Sequence, residues 1–406
     1  MPDEARRAVE AAARTAYGRL LGFLAARLRD VATAEDALAD AFATALERWP
    51  VDGVPERPEA WLFTVARRRM LDGARHGRVR QEAGSRMLLA AEEAQARFEA
   101  GDELPDQRLG LLFACAHPAI DESVRTPLML QAVLGLDAAR IASAFLVAPS
   151  AMGQRLVRAK RKIADARIPF AVPEATDLAP RLDAVLAAIY AAYTLDRGEE
   201  GADSLAIEAM WLAELVAAAL PSEPEALALL ALLLFDRSRR PARRREDGSY
   251  VPLAEQDTTS WDGASIAAAE SLLKRAASAA RIGRFQLEAA IQSVHAARRT
   301  SGRTDWPAIV RLYGALQELT GSPVIALNRA VAMVEAGDVR GGLAALRALD
   351  DQASLADYQP YWAARAAVLA RAGDLAGARA AYRQALGLTE DEGSRRFLAA
   401  RLEALD

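Results

Sequence analysis

Cysteine is nearly missing from this chain: the single Cys115 among 406 residues excludes an internal disulfide framework and fits a reducing compartment. Histidine is almost as scarce. His76, His117 and His295 lie far apart with no metal-ligand spacing, so no metal site is expected. Aromatic residues make up only 6% of the sequence, and no sustained apolar/polar alternation marks a strand. No apolar run approaches bilayer length, and Met1 to Glu10 has neither the apolar core nor the cleavage site of a signal peptide. The expectation is a cytoplasmic protein without membrane contact. A net charge of −4 excludes bulk attraction to polyanions, so any nucleic-acid binding must come from local patches. A glycine-rich phosphate loop, a Ser/His/Asp arrangement and a convincing pair of carboxylates are all lacking; no enzyme, no catalytic residue and no cofactor is expected.

What is present is alanine and leucine at helical spacing, which makes the fold class all-α, and 406 residues exceed one ordinary core. Residues 4 to about 29 read as a first helix with Leu20, Leu21, Phe23, Leu24 and Leu28 apolar. Thr33 and Asp36 suggest a capping pair for a second, Ala34 to Trp49. After the loop Pro50 to Arg57, Pro58 opens a third helix reaching about Arg80. Between Glu82 and Asp106 the chain turns acidic and reads as a linker. A second helical unit follows from Arg108 to Arg167, and Pro169, Pro173 and Pro180 then break the pattern. The predicted organisation is a unit over 1–82, a linker over 83–108, a unit over 109–168 and a larger helical region over 178–406.

Two segments carry concentrated positive charge. From Arg140 to Lys162 the pattern is a helix, a tight turn and a second helix, the arrangement that enters a DNA major groove. Asp137 is a predicted N-cap, Gly135 a stop for the preceding helix, and Pro149 marks the second helix's start. Met152, Leu156, Ala159 and Ile163 recur on one side; Gln154, Arg155, Arg158, Arg161 and Lys162 fall mostly on the other. A plain amphipathic helix with a solvated basic face is the competing reading. In the third helix Leu62, Val65, Ala66 and Met70 form the apolar stripe, while Trp61, Thr64, Arg68 and Arg75 share another face. From Arg67 to Arg86 seven arginines stand against Asp72 and Glu82, an attraction for phosphates. Trp61 reads either as an exposed indole on which an unpaired base stacks or as core.

Together these segments resemble a bacterial sigma factor of the extracytoplasmic-function type. Ala34-Glu35-Asp36-Ala37-Leu38-Ala39-Asp40-Ala41-Phe42 stands where that family has Ala-Glu-Asp-Leu-Val-Gln-Glu-x-Phe. Pro58, Trp61, Leu62, Ala66, Arg67, Arg69 and Asp72 match its third-helix pattern. Ile141, Ala142, Arg155, Leu156, Arg158, Ala159, Arg161 and Lys162 match its C-terminal motif. Cys115-Ala116-His117-Pro118-Ala119, Gln286 to Ile291, Thr304-Asp305-Trp306 and Ser322 to Val331 look like the subgroup fused to a tetratricopeptide-like C-terminal domain. The resemblance implies that Asp36, Leu38, Asp40 and Phe42 face the β′ subunit of core RNA polymerase, whose β and β′ subunits and promoter DNA are the expected partners. It implies minus-10 contacts from Trp61, Arg67, Arg68, Arg69 and Arg75 and the loop Val51 to Arg57. Ser150, Gln154 and Arg155 would lie nearest minus-35 base edges, with Arg158, Arg161 and Lys162 on phosphates. Ala39, Arg68, Leu146 and Gly283-Arg284-Phe285 depart from the family pattern, and the last removes grounds for a ligand role in that loop.

The C-terminal region shows weak self-similarity. Trp362, Ala366, Leu369, Ala378, Tyr382 and Ala385 have tetratricopeptide spacing, Ala330, Met333, Gly342, Leu346 and Leu349 repeat most of it, and Gly337-Asp338 mirrors Gly373-Asp374. An irregular helical bundle is the alternative. Such a domain is expected to regulate, through a protein partner on a concave face. A helical-repeat scaffold with incidental basic surfaces is the rival to the whole reading. Arg237, Arg239, Arg240, Arg243, Arg244 and Arg245 read either as a grip for an acidic partner or nucleic acid, or as a solvated loop.

Overall fold

Apolar residues at three- and four-residue steps build α1 (Pro2–Leu28), whose Leu20, Leu21, Phe23 and Leu24 are wholly buried. The computed structural model describes residues 2–74, 106–145, 147–195, 205–352, 355–389 and 391–405, all-α with no sheet among them. Two compact units divide the chain, Met1–Val216 and Ala217–Asp406.

In the first unit α1 packs on α2 (Val31–Asp52) and α3 (Pro58–Ala74). The cap of α2 is Asp30, whose carboxylate accepts the Thr33 N–H at 3.1 Å, and this corrects the expected Thr33/Asp36 pair. Asp30 wins because its extended backbone turns the side chain onto the free N–H groups of the first turn. Then come α4 (Arg108–Cys115), α5 (Glu122–Leu134), α6 (Ala138–Ala144), α7 (Pro149–Asp165) and α8 (Ala175–Leu195). α5 stops at Gly135, left-handed at φ +69°, and Asp137 caps α6 by accepting from Ala139 and Arg140, as the sequence suggests. The described part of the acidic linker is confined to its last residues, and Leu146 lies outside the described residues.

Two expectations about α8 need correction. Pro180 does not break the chain there but sits inside the helix. The helix is also 21 residues long and apolar enough to cross a bilayer by length and composition, contrary to the expectation that no run approaches that length. Its apolar residues, among them Leu182, Val185, Leu186 and Ile189, are instead buried in a helix that packs on α4 and α5. The start of α9 (Leu205–Ala219) joins this unit through Arg108, whose guanidinium pairs with Asp106 at 2.8 Å and Glu208 at 2.7 Å and lies 3.8 Å from the Trp211 ring centre.

In the second unit α10 (Pro224–Ser238) is buried nearly all round and packs on α11 (Gly263–Ala277) and α12 (Arg284–Ala296). The short α13 (Arg298–Ser301) and α14 (Trp306–Thr320) lead to two helical hairpins, α15 (Pro323–Glu335) with α16 (Val339–Arg347) and α17 (Gln359–Arg371) with α18 (Leu375–Gly387), and α19 (Glu392–Glu403) closes the row. Small apolar clusters hold neighbours together in series: Leu287, Ile309 and Leu316, then Leu327, Leu346 and Tyr361, then Ala366, Tyr382 and Leu398. That serial burial is how stacked hairpins acquire a core none has alone.

The arginine-rich segment after α10 is only in part the solvated loop that is one of its two readings: Arg237, Arg240 and Arg245 are exposed, while the others are engaged within the fold. Arg243 and Arg239 pair with the buried Asp236, Arg244 reaches Asp391 at 3.0 Å, and Arg245 stands 3.9 Å from Glu255. Arg239 and Arg243 thus serve as internal ties to α10, and Arg244 to the cap of α19. The Gly283 loop is likewise filled from within, since Glu225 accepts the main-chain N–H groups of Phe285 at 2.8 Å and Gln286 at 3.0 Å.

Candidate nucleic-acid interface

α6 and α7 are two packed helices joined by a short connection, and the orientation of α7 follows from its apolar stripe. Met152, Leu156, Ala159 and Ile163 are buried as predicted, which turns Ser150, Gln154, Arg155, Arg158, Arg161 and Lys162 to solvent. At 100° per residue, Gln154 stands opposite the middle of the buried stripe, with Ser150, Val157 and Arg161 beside it. Val157 is 65% exposed, a residue the sequence reading passed over because a lone valine in a basic helix carries no periodic signal. An exposed branched side chain beside the centre of such a face suits a thymine methyl.

Arg155, Arg158 and Lys162 occupy a flank of α7 and line a cleft of about 420 Å³ with Asp121, Ser123 and Val124 at the start of α5. Asp121 caps α5 by accepting from the main chain of Ser123 at 2.9 Å; hydrogen bonds from Ser123, then the nearby Arg155, hold its carboxyl below the usual range. Arg158 donates to the Gln154 carbonyl at 3.3 Å, and Arg161 lies 3.6 Å from Asp165. One cation of the run, Lys160, turns inward: it is 7% exposed and its ammonium meets the carboxylate of Glu35 on α2. Sequence reasoning did not single it out.

The second surface lies on α3. Leu62, Phe63 and Ala66 face the core, Phe63 edge-on to Phe23 at 5.7 Å, while Val65 and Met70 are only half-buried. Trp61 falls between its two readings: it is half-buried, edge-on at 5.5 Å to the buried Trp49. That contact fixes the indole's direction without covering it. Arg67 is half-buried, Arg68 and Arg69 are exposed, and Arg69 lies 3.9 Å from Asp40. Arg75 lies outside the described residues. The expected loop from Pro50 starts later, since α2 runs through Pro50 to Asp52; Val51 in its last turn is 81% exposed, and Val54 in the loop before α3 also faces solvent.

On α2, Asp36 and Asp40 are exposed, and Phe42 is half-buried against Tyr17 with ring centres 6.4 Å apart. Leu38 requires correction: it has no exposed surface and belongs to the core, so it cannot face a partner. Its spacing of two from Asp36 and Asp40 places it on the opposite side of an α-helix. Among the described residues no group of three metal-ligating side chains occurs.

Residues 13–80 match sigma-70 region 2, which covers most of α1 and all of α2 and α3. Residues 181–277 match a family of unknown function, DUF6596, a span running from α8 to α11. The chain is similar to an uncharacterized protein of Rhizobium meliloti (strain 1021), 35% identical over 401 residues that cover 96% of this chain and 94% of that one. No solved structure matches it.

Proposed function

The chain belongs to one family with the uncharacterized Rhizobium meliloti protein and carries a sigma-70 region 2 at its N-terminus, and from that premise we propose that it is a sigma factor of the extracytoplasmic-function type. It binds core RNA polymerase and directs initiation at particular promoters in the cytoplasm, by binding energy and without a catalytic centre. The coarse role, in transcription initiation, rests on region 2 itself. The finer assignments are ours: region 2 over 1–82, a linker over 83–108, a region 4 helix-turn-helix over 109–168 and a regulatory helical domain over 178–406.

The observation that carries the reading is that region 2 shares one chain with a helix-turn-helix whose α7 turns six polar or cationic side chains to solvent. The resemblance puts Ser150, Gln154 and Arg155 at minus-35 base edges and Arg158, Arg161 and Lys162 on phosphates; the phase of the buried stripe leads us to exchange two of these roles, so that Ser150, Gln154, Val157 and Arg161 would face base edges, with Arg155, Arg158 and Lys162 on the flanking phosphates. Trp61, Arg67, Arg68, Arg69 and Arg75 would hold the minus-10 element as separated strand, and Asp36, Asp40 and Phe42 the β′ subunit. Melting succeeds only if contacts to the unpaired strand outweigh the stacking lost, on the order of 1.4 kcal/mol per step. The hairpins α15–α18, with their repeated caps, support a tetratricopeptide-like regulatory domain that takes a protein partner.

Reconstitution tests the proposal. Purified chain added to core polymerase on a genomic library should yield discrete transcript starts that core alone does not give. Recovery of core polymerase in no complex, with no new starts, overturns it.

A further inference from the structure

Two elements of the first unit bring side chains onto the Glu35 carboxylate of α2, and a third lies within its field. From α7 the Lys160 ammonium pairs with it, from α1 the Tyr17 hydroxyl donates to its Oε1 at 3.4 Å, and the buried thiol of Cys115 on α4 lies within the field of both charges. The Lys160 side chain is 8% exposed and that of Glu35 20%. Beside this pair the backbones themselves meet. A methyl group at Gly18 of α1 would overlap the Val133 carbonyl of α5, and one at Gly22 would lie 3.2 Å from the backbone carbon of Gln107. At the end of α5, Gly135 stands so near that a Cβ there would be 3.1 Å from the Tyr17 ring. The three region 2 helices are therefore docked, through glycine contacts and a buried ion pair, on the half that carries the helix-turn-helix.

That docking conflicts with the geometry of a promoter. Elements named minus-35 and minus-10 lie about 25 base pairs apart, on the order of 85 Å at about 3.4 Å per step. α7 is 17 residues long, roughly 25 Å, and it touches α2. While they touch, α3 and α7 cannot each lie on its own element.

We propose that the docked arrangement is a self-restrained state of the chain, latched by the Glu35–Lys160 pair, and that the latch must break before both promoter elements are engaged. The inference rests on the proposed function for its consequence, though not for the latch itself. The outward face of α7 remains free in the docked state, so a duplex carrying minus-35 alone should bind without opening. Lys160 is then a recognition-helix residue whose task is to hold the other half, and Glu35 is its partner.

The single cysteine is a native reporter. Cys115 has no exposed surface, and burial pushes its thiol up to about 12, so labelling by a thiol reagent requires opening. In the full chain, Glu35→Gln and Lys160→Met should each raise the labelling rate roughly tenfold, because one charge is left buried without its partner. The exchange Glu35→Lys with Lys160→Glu should return it toward the parent. Gly18→Ala provides an independent route: it favours helix α1 locally yet wedges it from α5. With core polymerase, the opened variants should engage a two-element promoter severalfold better while binding a minus-35-only duplex unchanged. Unchanged labelling in all of them, or labelling that rises only in step with global unfolding in urea, overturns the latch. If no variant, parent included, binds minus-35 duplex, the sigma reading fails, and the labelling arm still decides the latch.

Discussion

Arg371 of α17 pairs at 2.9 Å with Glu335 of α15, 36 residues back in the chain. Both side chains are partly solvated, so the pair itself stabilises little. Its significance is register: the same interval carries Asp338 to Asp374, which cap α16 and α18 by accepting from Gly341 at 2.8 Å and Gly377 at 2.9 Å. Ahead of each cap a glycine takes a positive φ, +98° at Gly337 and +84° at Gly373, where a side chain is disfavoured.

The hairpin turns, and not the surface pair, should therefore set the local stability of the repeats. Asp374→Ala and Gly373→Ala should each lower the protection of α17 and α18 amides against hydrogen exchange by about 1 kcal/mol, whereas Arg371→Ala should cost under ~0.5 kcal/mol. A larger loss for Arg371→Ala than for Asp374→Ala would contradict this assignment.

Leu38 and Asp40 should separate folding from partner binding. Leu38→Ala empties a fully buried site and should destabilise the first unit by ~2–5 kcal/mol in urea denaturation. Asp40, with most of its side chain in solvent, should tolerate alanine with little change in stability while capture of core polymerase declines. A well-folded Leu38→Ala protein that has lost only polymerase binding would return Leu38 to the interface.

Local chemistry was largely legible in the sequence, and long-range pairing was not. Asp137, Gly135 and Pro149 mark the ends of α5, α6 and α7 because capping and backbone preference act within a few residues. The repeated Gly-Asp pair, legible only as self-similarity, proves to lie at both hairpin turns. Asp30 was missed as a cap since Thr33 and Asp36 offer the same side-chain chemistry a few residues on, and only the backbone decides among them. Trp61 was ambiguous because its exposure depends on Trp49, on another helix. The tie of Arg244 is not legible because its partner Asp391 lies 147 residues away. Lys160 shows the limit most plainly. A single residue, 100° of helix phase, separates it from the solvent-facing Arg161, and its partner lies 125 residues away.

The two sides of α7 should differ in what they read. Gln154→Ala or Val157→Ala should relax base preference at one position of the minus-35 element, with losses of ~1–3 kcal/mol for a direct contact. Arg155→Ala and Lys162→Ala, on the cleft flank, should weaken all sequences alike and lower the salt dependence of binding by about 0.9 in log–log slope for each phosphate contact removed. Binding titrations on cognate and scrambled duplexes at several salt concentrations measure both. Sequence-selective loss on Arg155→Ala would move that residue to the reading centre.

His295 should make the second unit sensitive to mild acid. It packs edge-on to Trp306 at 5.5 Å, and burial, aided by Arg239 and Arg298, lowers its pKa to about 4 from the ordinary 6.5. Between those values the unfolded chain binds a proton that the folded unit refuses, so stability falls as pH drops through that window and is intact above it. The full effect is at most roughly 3 kcal/mol. His295→Phe keeps an aromatic edge against Trp306 and cannot titrate. Urea denaturation at pH 7 and pH 5 should then show a smaller loss of stability for the variant than for the parent, with the difference vanishing above pH 7. Equal losses would mean that the imidazole is protonated within the fold and that Arg239 and Arg298 are screened from it.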